Sequence, residues 1–320
     1  MFFSIIIPLY NRPQEIDELL FTLEQQDYKN FEVLIIEDGS KQDARAIVEN
    51  YADKINIQYF YKENAGQGFA RNYGFERAKG DYFIIFDSDC LIPTDYLNIV
   101  YDYLKDHNLD AYGGPDAAHN SFTPIQKAIS YSMTSPFTTG GIRGNKKHIG
   151  TFHPRSFNMG VSRKTWEHVG GFKLTRLGED IEYSIRIQKA GYKIGLIPDA
   201  KVFHKRRTDF KQFYKQLHFF GRARINIYKH FRSELKLVHF FPAAFVLFLI
   251  GNLIANLLSF PIATLGNLLL GIYILLLYLH AWTKTASLKI AFLSVCTSFI
   301  QLTAYGLGFI QDLWKRIILH

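Results

Sequence analysis

The chain has 320 residues, 48% of them hydrophobic and 21% charged, with a formal net charge of +8. That length suits one large α/β domain plus an appendage, and two cysteines, Cys90 and Cys296, exclude a disulfide framework or a zinc-finger site. The charge is local: residues 201–236 hold 11 Lys or Arg against 2 acids, which leaves the rest of the chain close to neutral. Such a run abuts an apolar tail, so it reads as contact with anionic lipid head groups rather than with nucleic acid.

In chain order, Phe3–Leu9 is a continuous apolar run with β-branched residues, the pattern of a strand buried on both faces. It lacks a basic leader, so MFFSIIIPLYNRP is read as a first strand and not a signal peptide, with the catalytic part expected in the cytoplasm. A helix follows from Pro13 to about Gln26, then strand Phe31–Ile36, helix Ala44–Tyr51, strand Ile55–Phe60, helix Gly68–Lys79, strand Tyr82–Phe86 and helix Pro93–His107. Strands alternating with helices predict a doubly wound, mainly parallel sheet, with chemistry beyond the carboxyl ends of its strands. From Gly113 to Pro154 the alternation lapses apart from a short helix at Pro124–Met133, which marks a functional loop or lid. Strand Phe157–Ser162, helices Lys164–Val169 and Asp180–Ala190, and short strands Lys193–Ile197 and Lys201–His204 complete the domain.

Asp209–Phe231 has helical periodicity with Phe210, Phe213, Leu217, Phe220, Ile225 and Tyr228 among basic residues. This suits a helix in the membrane interface plane, the alternative being a helix packed on the domain. Three apolar stretches follow, Val238–Ser259, Ile262–Ala281 and Leu288–Leu313, each long enough to span a bilayer. The third carries Gln301, Asp312 and the sequence AYGLGF, so it either spans or is re-entrant. The expected division is a catalytic domain over residues 1–207, an interfacial helix over 208–236 and a transmembrane region of two to three helices over 237–320.

Four polar segments carry candidate chemistry. Asp87-Ser88-Asp89 places two carboxylates directly after a buried strand, where their repulsion calls for a cation; a hard divalent metal bridging a nucleotide diphosphate would supply it, and a turn or helix cap is the alternative. Glu37-Asp38-Gly39-Ser40 follows the second strand, with Asp38 able to accept from a base or ribose, or to make an Asx turn. Gly66-Gln67-Gly68-Phe69-Ala70-Arg71-Asn72 opens a helix, where amides and the dipole favour anions and Arg71 adds positive charge. Gly178-Glu179-Asp180 starts another helix; Asp180 is a dipole-stabilised first-turn acid or a base for an attacking hydroxyl.

Taken in order, SIIIPLYNR, EDGS, GFARNYG, DSD, the NMGVSRK-W-x-x-V-G-G-F segment and GED resemble the family 2 glycosyltransferases of GT-A fold over roughly residues 3–205. The membrane tail, with GGPDAAH and TPIQKAISYSMTSPFTTGG, looks like the exopolysaccharide glucosyltransferases of the succinoglycan type. The resemblance implies a GT-A domain followed by transmembrane helices. It implies that Pro8, Tyr10 and Asn11 line the nucleotide pocket, that Asp38 contacts the base and that Arg71 faces the nucleotide. It further implies that Asp87 touches ribose or metal, that Asp89 and His204 bind Mn2+ or Mg2+, that Asp180 is the catalytic base and that Glu179 places the acceptor. His204 also reads as a basic surface residue beside Lys205 and Arg206. The first acidic motif departs from the family's commoner two aspartates but keeps Asp38. The Q-x-x-R-W motif of processive synthases is absent, Gly221-Arg222-Ala223-Arg224 being the nearest candidate.

The implied activity is inverting, metal-dependent transfer of one sugar from a nucleoside diphosphate donor, a UDP-sugar, to a lipid-linked saccharide at the inner membrane, with anionic lipids as partners. The alternatives are transfer to polyprenyl phosphate itself, and a non-catalytic membrane scaffold of the same fold.

Overall fold

The computed structural model describes residues 1–139 and 152–318. Residues 140–151, the middle of the expected loop with its GGIRGNKKH sequence, lie outside the described residues.

The strands are β1 (Phe3–Leu9), β2 (Phe31–Asp38), β3 (Ile57–Lys62), β4 (Tyr82–Phe86), β5 (Cys90–Leu91), β6 (Ala111–Gly113), β7 (Asp116–Ala117), β8 (Asn158–Ser162), β9 (Ile194–Leu196) and β10 (Val202–His204). The helices are α1 (Pro13–Glu24), α2 (Arg45–Glu49), α3 (Gln67–Phe75), α4 (Tyr96–His107), α5 (Pro124–Thr134), α6 (Pro136–Thr139), α7 (Arg163–Val169), α8 (Glu179–Lys189), α9 (Phe210–His230), α10 (Phe241–Leu257), α11 (Ile262–Thr285) and α12 (Leu288–Leu313). Seven strands form one sheet in the order β3-β2-β1-β4-β8-β6-β9, and β5-β10-β7 form a second. The first four are parallel; β8 runs antiparallel to both β4 and β6. The expected mainly parallel sheet is present.

The apolar strand runs follow from cover on both faces. Ile5, Ile7, Leu9, Val33 and Ile35 pack with Leu19, Leu20 and Leu23 of α1 and Leu97 and Val100 of α4. Ile6, Leu34, Ile36, Phe83 and Ile85 meet Ala70 and Phe75 of α3, and Tyr183 and Ile187 of α8. Each fully buried Val, Leu, Ile or Phe among them contributes roughly 1.5–3 kcal/mol.

The chain forms two compact units, and they do not follow chain order. Residues from Met1 to His119 and from Phe152 to Lys205 make the first; the second joins the segment from Asn120 through α6 to everything from Arg206 onward. The expected irregular segment therefore splits. Its start supplies β7, while α5, closed at its N-terminus by a Thr123–Gln126 capping box, belongs with the C-terminal helices.

In the second unit α12 is one continuous 26-residue helix. The apolar stripe of α9 expected to meet lipid is covered by protein: Phe213 and Leu217 pack with Ile129 and Met133 of α5 and Ala304 of α12, and Ile225 with Phe309. Glycines permit the approach. A Cβ on Gly221 would lie 2.1 Å from the Tyr305 carbonyl, one on Gly308 2.1 Å from the His218 carbonyl, and one on Gly306 2.3 Å from the Pro242 carbonyl. Asp312, 2% exposed on its side chain, is paired by Arg222 of α9 at 3.0 Å and by Arg316 at 2.8 Å. Arg222 of the Gly-Arg-Ala-Arg sequence is thus committed to a buried acid of α12. Amides clasp α10 to α11: Asn252 and Asn256 both donate to Asn267 Oδ1, at 2.9 and 3.2 Å. Leu237–Leu257, Ile262–Thr285 and Leu288–Ile317 have mean hydropathies of 2.1, 2.1 and 1.6 and are each long and apolar enough to cross a membrane.

Gly308→Leu is expected to destabilise the α9–α12 crossing by ~1–3 kcal/mol through overpacking, whereas Gly251→Ala, where a Cβ meets nothing within 4 Å, should be near neutral. Thermal unfolding in detergent micelles compares the two.

Candidate active site

The first loop leaves β1 after Pro8 and Leu9, exposes Tyr10, and turns at Asn11, whose φ of 53° is left-handed. Asn11 is fixed against the second motif: its N–H donates to Ser40 Oγ at 2.6 Å, and its Oδ1 accepts from the Lys41 N–H at 2.9 Å. Ser40 in turn donates to Glu37, which is fully buried and also accepts from the Ala44 N–H and the Tyr59 hydroxyl. Burial pushes the Glu37 carboxyl above its ordinary range, against these hydrogen bonds. The glutamate that sets EDGS apart from a pair of aspartates thus holds the first loop in shape through Ser40.

Asp38 is nearly buried and accepts from Lys62 Nζ at 2.7 Å, the Gly66 N–H at 2.8 Å and the Ala65 N–H at 3.0 Å. It anchors the loop that enters α3. That loop differs from the expected anion cradle. A Cβ on Gly66 would fall 1.9 Å from Thr175 Oγ1, one on Gly68 2.3 Å from the Leu174 carbonyl, and the Gly68 N–H donates to the Thr175 carbonyl. The glycines admit the chain that leads into GED, and protein fills the space.

Arg71, expected to face the nucleotide, has no exposed side-chain surface. Its Nη2 lies 2.7 Å from Asp87 Oδ1, its Nη1 3.4 Å from Glu179 Oε1, and its guanidinium sits over the Phe172 ring. Gln67 also donates to Glu179. Burial raises the Glu179 pKa, as does the adjacent Asp180 charge, while Arg71 and Gln67 oppose them. Arg71 and Glu179 are thus a buried pair beneath the site, and Asp87, one-third exposed, is tied to it.

Asp89 meets His204, whose Nε2 is 3.1 Å from Asp89 Oδ1. Backbone pairing brings this about: β10 runs antiparallel to β5 with His204 opposite Cys90, and the Lys205 N–H donates to the Asp89 carbonyl at 2.9 Å. The Phe157 ring stacks on the His204 imidazole at 4.7 Å. Arg12, at the N-cap of α1, places Nη1 2.5 Å from Asp89 Oδ2. Burial alone would raise the Asp89 pKa; His204 and Arg12 outweigh it and hold the carboxyl well below the usual carboxylate range.

The donor atoms of Asp89, Cys90 and His204 lie within 4.8 Å of one another. The carboxylate oxygen and imidazole nitrogen suit Mn2+ or Mg2+. Burial pushes the Cys90 thiol up, so it stays protonated and is a poor ligand. The residues therefore fit a divalent cation held by Asp89 and His204, with Arg12 in contact with one carboxylate oxygen.

Asp180 lies in the first turn of α8, after left-handed Leu177 (φ 64°) and Gly178 (φ 92°). Its side chain is partly accessible, and Arg155 Nη1 lies 3.6 Å from its Oδ2. Arg12, Gln67, Arg155 and Phe157 had no role assigned from sequence. Arg12 and Gln67 stand within the motifs SIIIPLYNR and Gly66–Asn72; Arg155 and Phe157 come from segments that meet the site only in the folded chain.

These acidic turns at one end of the sheet fit the sequence comparison, in which the profile of glycosyl transferase family 2 matches residues 4–167, half of the chain. The chain belongs to glycosyltransferase family 2. The match runs from β1 into α7, so GED and His204 lie beyond it. An uncharacterized glycosyltransferase of Rickettsia felis is 34% identical over 141 residues, 43% of this chain and 22% of that protein. Across four rickettsial relatives the chain spans 19% to 27% of their length. A Methanococcus voltae enzyme named as a dolichyl N-acetyl-α-D-glucosaminyl phosphate 3-β-D-2,3-diacetamido-2,3-dideoxy-β-D-glucuronosyltransferase is 28% identical over 272 residues, covering 81% of this chain and 83% of its own. Among solved structures, a mannosyltransferase of Pyrobaculum calidifontis in complex with GDP-Man and Mn2+ aligns over 98% of this chain and 87% of its own, with a TM-score of 0.61 and 20% identity, a likeness of fold. The domain of this family 2 member is GT-A-like.

Removing the guanidinium with Arg71→Met leaves Glu179 buried and uncompensated, so stability should fall by about 3–5 kcal/mol. Lys54→Ala, which breaks the exposed pair with Glu24, should cost under ~1 kcal/mol. Chemical denaturation of the two variants measures the difference.

Proposed function

We propose that this family 2 member transfers one sugar, with inversion, from a nucleoside diphosphate donor to a lipid-linked saccharide acceptor. The observation that carries the reading is the tie through buried Arg71 between Asp87 of DSD and Glu179 of GED, the acids proposed for the donor side and the acceptor side. The nucleotide-sugar donor is supported by the solved mannosyltransferase, which holds GDP-Man and Mn2+; a UDP-sugar remains the donor we propose here. A lipid-linked acceptor is supported by the name of the Methanococcus voltae relative and by three helices able to cross a membrane. A tethered enzyme meets an acceptor whose tail stays in the bilayer at raised effective concentration.

Pro8, Tyr10 and Asn11 would line the nucleotide pocket, with Asp38, which clamps the loop before α3, contacting the base. Asp89 and His204, joined by Asp87, would hold Mn2+ or Mg2+, whose chemistry is to neutralise charge on the departing diphosphate. Asp180 accepts the proton of the acceptor hydroxyl as that oxygen bonds to the anomeric carbon; the bond from that carbon to the phosphate oxygen breaks, and the nucleoside diphosphate leaves with the electron pair. Glu179, held by Arg71 and Gln67, fixes the turn that aims Asp180.

Asp180→Asn keeps size and polarity but removes the base. Transfer should fall by roughly 10² to 10⁴ while donor binding, followed by isothermal calorimetry, changes little. Transfer that survives intact would favour a phosphate acceptor, which needs no base, and a collapse of donor binding would move Asp180 to the donor side.

For the membrane we propose that α10 and α11 span an inner membrane, with the first unit on the cytoplasmic side and the basic residues before α10 set against anionic lipid as the positive-inside bias favours. Asp312, in the last turn of α12, pairs with Arg222 of α9, which favours the end of α12 on the same side as α9. A cysteine introduced after Ile318 should therefore react with a membrane-impermeant maleimide only after permeabilisation. Labelling from outside intact cells would mean a third span.

A further inference from the structure

One cation of the site has no part in the reading above. Arg12 stands one residue beyond left-handed Asn11 and puts Nη1 2.5 Å from Asp89 Oδ2, while Asp89 Oδ1 faces His204. Both oxygens of the proposed metal ligand are engaged by groups of the chain itself. The two partners differ in freedom. The Asp89 side chain is 9% exposed, and its backbone is fixed by the Lys205 N–H and the β5–β10 pairing; the Arg12 side chain is 30% exposed, on a residue outside the helix proper.

The charges set the consequence. A guanidinium does not lose its proton in a protein, so Arg12 keeps its charge beside Asp89 and leaves it most readily when another anion offers itself. A divalent ion arriving alone would set two positive charges beside Arg12 with the Asp89 carboxylate to balance them. Asp87 offers little more, because Arg71 holds it at 2.7 Å. A nucleoside diphosphate changes the balance: its oxygens accept from the guanidinium in the bidentate way that suits arginine and ligate the metal as well.

We propose that Arg12 is a built-in stand-in cation at Asp89 that makes divalent-metal binding conditional on a nucleoside diphosphate: Arg12 passes from Asp89 to the diphosphate as the metal takes the Asp89 oxygen. This rests on the assignment of Asp89 as a metal ligand. It gives the first loop two linked tasks, since the backbone that shapes the nucleotide pocket at Asn11 also carries the group that guards the metal ligand.

The test is Mn2+ binding to the full chain in detergent, followed by electron paramagnetic resonance with metal alone and then with UDP or, in parallel, GDP. In the unmodified protein Mn2+ alone should bind weakly, and nucleotide should tighten it within the roughly 5- to 150-fold span of ordinary coupling. Arg12→Met should bind Mn2+ alone about 10-fold more tightly and lose most of the nucleotide effect, whereas Arg12→Lys, which keeps the charge, should retain much of it. Arg12→Gln carries the same expectation as Arg12→Met if the latter does not fold. Mn2+ bound no more tightly by either neutral variant, with the nucleotide effect unchanged, overturns the role of Arg12 and leaves Asp89 as a ligand. Mn2+ absent from the protein even with nucleotide, or bound equally after Asp89→Ala, overturns the metal assignment and this inference with it.

Discussion

A guanidinium with no exposed surface is held in place by what surrounds it, and Arg71 is surrounded by the two acidic turns. Burying that charge without partners would be prohibitive, and burying Glu179 without a cation would be nearly as costly. Each therefore makes the other affordable, with Asp87 as the third member and the Phe172 ring beneath. The geometry of the site follows. α3 carries Arg71, the turn after β4 carries Asp87 and the first turn of α8 carries Glu179, so a shift of any one leaves a buried charge unmatched. In such a triad the desolvation cost offsets much of the mutual attraction, and few other arrangements would satisfy all three groups.

The remaining polar groups extend the same logic outward. Gly66 and Gly68 let the 174–175 chain lie against the start of α3, and this close approach brings GED within reach of Arg71. Asp38 clamps the loop before α3, and Glu37 holds Asn11 through Ser40. Arginines then face the two acids that the proposed chemistry uses, Arg12 at Asp89 and Arg155 at Asp180. The site proposed to take a polyanion and a dication carries in its own side chains charges that pair with one another.

The second unit solves a different problem, that of polar groups in apolar surroundings. Asp312 would be costly on a membrane helix, and Arg222 and Arg316 neutralise it. Thr297 donates to the Ala128 carbonyl of α5, and the asparagines of α10 and α11 bond to one another. Where helices approach most closely, at Gly221, Gly306 and Gly308, a side chain would strike backbone. In a bilayer, small residues and paired polar groups would supply the association that hydrophobicity cannot provide between helices.

The sequence by itself determined the elements and the chemistry at their ends. Uninterrupted β-branched runs specify strands covered on both faces, as in β1, β2 and β4. Long charge-free stretches specify helices able to span a bilayer, and EDGS, DSD and GED stand directly after strands or at a helix start. These signals are local, carried by periodicity and by neighbouring residues. What the fold alone decided is which charge meets which. Arg71 reads as a cation at a helix start, yet its partners lie 16 and 108 residues away, and their positions depend on the sheet order. His204 reaches Asp89 because β10 pairs with β5, two short strands without a distinctive pattern of their own. The glycines of the α3 loop suggested an anion cradle, since a missing side chain records only that something must come close. Likewise the apolar stripe on α9 records only that it must be covered, and the packing of α12 and α5 decides by what. Periodicity fixes the need for a partner; its identity arises from contacts between residues far apart in the chain, which no local pattern encodes.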